Sequence, residues 1–174
     1  SGSLYEEQAL AFNITIWDAA WIGLYRRELF NEVRYPVGKL YEDTGTSHRL
    51  IHAAKSIFLV NECLYHYRAG RIGSITTDSA TRNHPDRIEM RISRAKDLCN
   101  WGFAGLAVRD ALVLLEDYGR GFDEYEFVED LLKSAKLSAM QYLRRKQRVF
   151  LIALKLSPAL FDCACIMMGR RIRK

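Results

Sequence analysis

Apolar and polar positions change rhythm part-way along the chain. From Tyr5 to Asn13, "YEEQALAFN" spaces its apolar residues at helical intervals. The next run, "ITIWDAAWIGLYRRELF", mixes β-branched and aromatic residues with no clean period. "VRYPVGKLYED" contains Pro36 and Gly38 and predicts a loop leading into the adjacent acids Glu42 and Asp43. "TGTSHRLIHAAK" predicts a helix with Leu50, Ile51 and Ala54 on one side and Thr44 or Asp43 as its cap. "SIFLVNECLYHYR" is rich in β-formers and predicts one or two strands, and "AGRIGSITTDSATRN" has the composition of a loop.

After Pro85 the pattern is helical to the end. Ile88, Ile92, Ala95 and Cys99 recur at i, i+4, i+7 and i+11, with Gly102 just past them. A second helix runs through "LAVRDALVLLEDY" and stops at Gly119. Asp123 opens a third, with Glu126 placed for a capping box and Phe122 placed to staple against Phe127, and this helix extends to about Gln147. Ser157-Pro158 restarts a last helix, the hydroxyl as cap and the proline in the first turn. The fold class is therefore α+β and helix-dominated, with residues 4–83 mixed and residues 84–174 a helical bundle. The strands of the first part are too few and too short for a self-sufficient sheet, so they belong to something larger.

Composition adds less. With 174 residues and 49% hydrophobic content the chain can bury a core. The opening "SGS" reads as an expression remnant and stands outside the pattern, and no basic segment followed by an apolar run marks a signal peptide. Cys63, Cys99, Cys163 and Cys165 lack a CxxC spacing, which argues against zinc and a disulfide framework and for a reducing, cytoplasmic setting. Charge is uneven. From Arg144 to Lys174 nine Lys/Arg stand against the single acid Asp162, so the tail carries +8 within a total of +5 and the rest is net acidic. Such a tail implies a polyanion near the C-terminus.

Three stretches occur in a fixed order: "GLYRRELF" (23–30), "YPVGKLYED" (35–43) and "NECLYHYRAGRIGSIT" (61–76). Together they resemble the C-terminal part of bacterial family 2 glycosyltransferases of the GT-A type, enzymes that build surface polysaccharides. The resemblance covers roughly residues 4 to 77. It implies the C-terminal portion of a Rossmann-like catalytic domain, on the acceptor side, followed by helices.

What the resemblance implies for chemistry is specific. An inverting glycosyl transfer needs a carboxylate to accept the acceptor hydroxyl's proton; the family pattern puts that base at Asp43, with Glu42 supporting it or touching the acceptor. The plain alternative for both acids is a helix N-terminus, whose dipole favours negative charge. The loop after the "LYHYR" strand would close over the donor diphosphate, with Arg68, Arg71 and Ser74 as contacts. Strand alternation puts His66 on the side of Arg68, facing the donor or its metal. The family holds Mg²⁺ or Mn²⁺ and a nucleotide-sugar on an N-terminal half through an Asp-x-Asp motif. No Asp-x-Asp occurs in this sequence, and Gly23 stands where lysine is usual. No cofactor is thus expected for this chain alone. The implied partners are a missing nucleotide-binding half and a glycan or lipid-linked acceptor.

Other motifs carry less. His48 and His52 sit one helical turn apart, but "HRLIH" lacks a metalloprotease glutamate, and the pair reads as solvated helix histidines. Asn13-Ile14-Thr15 is a formal sequon without meaning in a cytoplasmic protein. In the tail, Lys155, Pro158 and Asp162 interrupt an apolar stretch that would otherwise suit a membrane span. Two amphipathic pieces with basic flanks fit an anionic membrane face, peripheral on the inside of the plasma membrane; the alternative is a buried last helix with a solvated basic end. Nucleic acid is excluded as a partner for want of any groove-reading motif. Two functional classes remain: the acceptor-side part of an inverting glycosyltransferase, inactive alone, or a non-catalytic helical interaction or membrane-association module.

Overall fold

The computed structural model describes residues 2–16, 18–68, 70, 84–119 and 121–167. Helices dominate, and the chain divides into two units, Ser1–Met90 and Arg91–Lys174. In order, the elements are β1 (Gly2–Leu4), α1 (Glu6–Thr15), 3-10 turns at Ala20–Ile22 and Arg27–Asn31, α2 (Glu42–Ala53), β2 (Ile57–Leu59), α3 (Pro85–Asn100), α4 (Ala104–Tyr118), α5 (Tyr125–Ser134), a 3-10 helix at Leu137–Tyr142, α6 (Arg145–Leu156) and α7 (Pro158–Met167).

In the first unit, α1 buries Ala9, Leu10, Asn13 and Ile14, the i, i+1, i+4, i+5 stripe its sequence promised, and it packs on α2. The buried face of α2 is mostly polar: Thr44, Thr46, Ser47 and His48 lie inside with Leu50. His48 is therefore a core residue rather than a solvated one. His52 is exposed and pairs with Glu6 at 2.5 Å. Gly45 of α2 lies against the Met90 thioether with no room for a Cβ. The predicted cap is also displaced. Helix α2 begins at Glu42, with Tyr41 as the flanking residue, so Asp43 and Thr44 lie inside the first turn.

The strand reading of residues 56–68 holds only for Ile57–Leu59. These residues pair antiparallel with Gly2–Leu4, in the register Gly2 to Leu59 and Leu4 to Ile57. The opening residues, set aside as a remnant, thus form half of the two-stranded sheet. Residues 60–68 carry no strand.

In the second unit, α3 ends as predicted. Gly102, at φ +87, lets the Phe103 N–H reach back to the Leu98 carbonyl at 2.7 Å, closing the helix. Helix α4 is the centre, burying Leu106, Ala107, Val108, Ala111, Leu112, Leu114 and Leu115, and it meets α5, the 3-10 helix and α6. The third helix starts later and stops earlier than predicted. It begins at Tyr125 after Glu124 in the left-handed region, and it ends at Ser134. Phe122 packs edge-on against Tyr118 and Tyr125, and Lys96 covers Phe127. The Ser157 hydroxyl accepts the Ala159 N–H at 3.2 Å and Pro158 opens α7, as the Ser-Pro signal predicted.

The core of this unit contains one buried ion cluster. Asp110 is fully buried and accepts from Arg94 Nε at 2.7 Å and Nη2 at 2.8 Å, and from Arg91 Nη1 at 2.6 Å. The fork-to-fork geometry with Arg94 satisfies both carboxylate oxygens. Burial alone would raise the Asp110 carboxyl; the guanidiniums overcome it and hold it below the ordinary range. Removing the carboxylate leaves two guanidiniums desolvated. Asp110→Ala is expected to destabilise the chain by about 3–5 kcal/mol, read as a lowered urea midpoint.

Candidate active site

The geometry around Glu42 and Asp43 starts in the loop before them. Gly38 takes φ +76, a turn conformation that favours glycine, and swings Lys39 toward the start of α3. There Asp86 accepts the Leu40 N–H at 2.9 Å and the Lys39 ammonium at 3.2 Å, and Glu89 takes Lys39 at 2.6 Å. The Leu40 N–H and the lysine together hold the Asp86 carboxyl below its ordinary value, against the effect of burial. Next comes Tyr41, a non-glycine residue at φ +59, a conformation that costs about 1–2 kcal/mol for an L-residue. The Arg87 guanidinium lies 5.9 Å from the centre of its ring.

That strained residue delivers the two acids into the first turn of α2. Asp43 Oδ1 accepts the Thr44 N–H at 2.7 Å. Behind it, the Thr44 hydroxyl donates to Asp18 Oδ2 at 2.9 Å, and the Ser47 hydroxyl donates to the Asp18 carbonyl at 3.1 Å. Asp18 thus ties the chain after α1 to the base of the acid pair. Two phenols complete the group. Tyr25 and Tyr35 both share a hydrogen bond with Ser47. Burial pushes the Tyr35 hydroxyl above its usual value, and the carboxylates of Asp43 and Glu42 push it further, with the Ser47 contact opposing. Tyr25 is raised by burial and by Tyr35. Both stay protonated at neutral pH, and Tyr35 lies near the two carboxylates.

Of the residues named from sequence, Glu42 and Asp43 stand together here, half-buried. Arg68 and His66 are exposed in the segment after β2. Arg71 and Ser74 lie outside the described residues. Asp18, Tyr25, Tyr35 and Ser47 were not named from sequence, and Thr44 was named only as a helix cap. The signal available was Thr44 and Ser47 at i and i+3 on α2, a polar face that reads as solvent-exposed until it is seen to be buried. No group of three metal-ligating side chains occurs among the described residues. A separate apolar groove of about 790 Å³ lies between α1, the segment from Ile22 to Leu29, the end of α2 and β2.

No family model matches the chain, and no solved structure matches it. Two curated proteins of Streptococcus pneumoniae serotype 4 are similar to it. Glycosyltransferase GlyG is 30% identical over 120 residues, which is 68% of this chain and 40% of the relative. Glycosyltransferase GlyA is 29% identical over 103 residues, 58% of this chain and 14% of the relative. The chain is thus related in sequence to glycosyltransferases and spans less than half the length of these two.

The raised phenols give the site a signature in alkali. A phenol ionises at lower pH in the unfolded chain than in the folded one, so its contribution is complete below the unfolded value of 10.0 and is lost as pH rises through the folded value. The melting temperature should therefore fall with pH above about 10. Tyr35→Phe should flatten that fall, measured by thermal melts across the alkaline range; an unchanged slope would take Tyr35 out of the acid pair's surroundings.

Proposed function

We propose that this chain is the acceptor-side part of an inverting glycosyltransferase of the family 2, GT-A kind, acting in surface polysaccharide synthesis. The observation that carries the reading is the acid pair: two carboxylates set in the first turn of α2 behind a strained residue, braced by Asp86 on one side and Asp18 on the other. Helix starts made only for stability do not need a left-handed tyrosine. Similarity to streptococcal glycosyltransferases supports the same reading.

In this mechanism an acceptor hydroxyl lies against Asp43. Its proton passes to the carboxylate as the oxygen forms a bond to the anomeric carbon of the donor. The bond from that carbon to the nucleoside diphosphate breaks on the opposite face, the diphosphate leaves with the electron pair, and the configuration inverts. Glu42 supports the base or holds the acceptor, and the phenol of Tyr35 orients it. Arg68, Arg71 and Ser74 belong to the donor diphosphate. Mg²⁺ or Mn²⁺ and the nucleotide are held by a portion outside this chain, which alone is inactive. The wide apolar groove and the exposed Leu24, Phe58 and Val60 favour such a neighbouring portion. In the full-length parent, Asp43→Asn should lower kcat at least ~10²-fold with donor binding unchanged. Turnover at the wild-type rate would remove Asp43 from the mechanism.

A second reading, of membrane association at the cytoplasmic face, draws on α6. Its inner face buries Gln147, Phe150, Leu151 and Leu154, so deleting the tail would remove core. Its outer face exposes Val149, Ile152 and Leu156 at i, i+3 and i+7, flanked by Arg145, Arg148 and Lys155. No helix among the described residues is long and apolar enough to cross a membrane. An apolar stripe with basic flanks suits an anionic headgroup interface. The chain should sediment with phosphatidylglycerol vesicles and not with phosphatidylcholine, and ~0.5 M salt should weaken this by screening. Changing Val149 and Ile152 together to Glu should abolish it with melting unchanged; indifference to that double change would rule out this face.

A further inference from the structure

Three aromatic side chains of the first unit meet outside the groove and outside the hydrophobic core. Trp21, in the 3-10 turn after Asp18, stacks on Tyr65 with ring centres 4.3 Å apart and planes 18° apart. It stacks also on Tyr67, at 5.2 Å and 13°. Tyr65 and Tyr67 are separated by one residue and both stack on the same indole, each ring close to parallel with it. The tyrosines remain open to solvent, Tyr65 57% and Tyr67 42% exposed. Parallel rings buried against each other would be ordinary packing. Stacking covers one face of each tyrosine with the indole, and the part of each ring left open to solvent is apolar, electron-rich surface.

From this arrangement we infer that the Trp21–Tyr65–Tyr67 stack is the platform on which the acceptor saccharide lies, an inference that rests on the glycosyltransferase reading of the acid pair. A pyranose ring has one face of C–H groups with slight positive character, and it fits a flat electron-rich plate better than it fits an apolar cleft. Position points to the acceptor rather than the donor. Asp18 is hydrogen-bonded to Thr44, the neighbour of Asp43. Trp21 follows Asp18 by three residues, so its Cα lies within ~11 Å of that anchor, the reach of an extended chain. The donor's nucleobase, by contrast, lies at the far end of a diphosphate from the reacting carbon. A saccharide resting on the rings can present a hydroxyl at the acid pair. The plate tolerates many sugars, because a ring face reads no individual hydroxyl, and selectivity is left to the polar groups around Asp43.

The test uses the 174-residue chain with methyl glucoside, methyl galactoside and N-acetylglucosamine as probes, and uridine monophosphate as the comparison, read by saturation-transfer NMR. At least one saccharide should show transfer to its ring C–H protons. Tyr65→Ser, at an exposed position, should weaken this about tenfold with the melting temperature unchanged, while Tyr65→Phe keeps it. Equal transfer in wild type and Tyr65→Ser, transfer to uridine monophosphate alone, or none at all would overturn the inference. In the full-length parent, Tyr65→Ser should raise the acceptor KM and leave the affinity for nucleoside diphosphate unchanged. An unaltered acceptor KM in an active parent defeats the platform and leaves the transferase reading standing. A parent that transfers no sugar, from a chain whose saccharide binding depends on Tyr65, defeats the transferase reading and leaves the platform.

Discussion

The Asp86 carboxylate decides how the chain enters α2. By taking the Leu40 N–H and the Lys39 ammonium it fixes the residues immediately before Tyr41. Tyr41 can then be held left-handed, a conformation that local preference resists. With Tyr41 so placed, the helix begins at Glu42, and both acids fall in its first turn, where the unpaired N–H groups and the helix dipole receive negative charge. The site's geometry is therefore maintained from outside the helix that displays it.

The second support comes from beneath. A helix face of Thr44, Thr46, Ser47 and His48 would ordinarily be solvated, and burying hydroxyls without partners is costly. Here Asp18 accepts from Thr44 through its carboxylate and from Ser47 through its carbonyl, and Ser47 also engages Tyr25 and Tyr35. The network joins α1's exit, the loop before α2 and α2 itself by directional contacts. Such contacts fix orientation more sharply than apolar packing does. Burial raises both phenols, and for Tyr35 the carboxylates of Asp43 and Glu42 add to it.

Helix periodicity was legible where burial follows hydrophobicity. Glu6–Thr15, Pro85–Asn100 and Ala104–Tyr118 are helices as their spacing shows, with Ile92 and Ala95 buried and Ile88 and Cys99 only partly so, and Gly102, Gly119 and Ser157-Pro158 end or start helices for local reasons that the sequence displays. The reading went astray where a distant residue overrides local chemistry. Asp86, more than forty positions from Leu40, moved the start of α2; Asp18, distant from Thr44, turned a polar face inward and took His48 with it. Residues 60–68 have strand composition, and among the described residues only Ile57–Leu59 before them forms a strand there. The acid pair itself was visible as adjacent letters. Its surroundings were not, since Tyr25, Tyr35 and Ser47 meet only through the fold.

The two units solve opposite problems with charge. In the second, Asp110 and two arginines sit inside the helical core, and their mutual hydrogen bonds offset a desolvation that either sign alone could not bear. That arrangement saturates the buried Asp110 carboxylate with guanidinium donors. In the first, the carboxylates of Glu42 and Asp43 are half-buried at a helix start, close to water and to neutral phenols. A base must stay accessible and ionised, with a changing partner, whereas a structural carboxylate must be saturated. Asp110 is saturated in this way, whereas Glu42 and Asp43 stay half-buried at the start of α2.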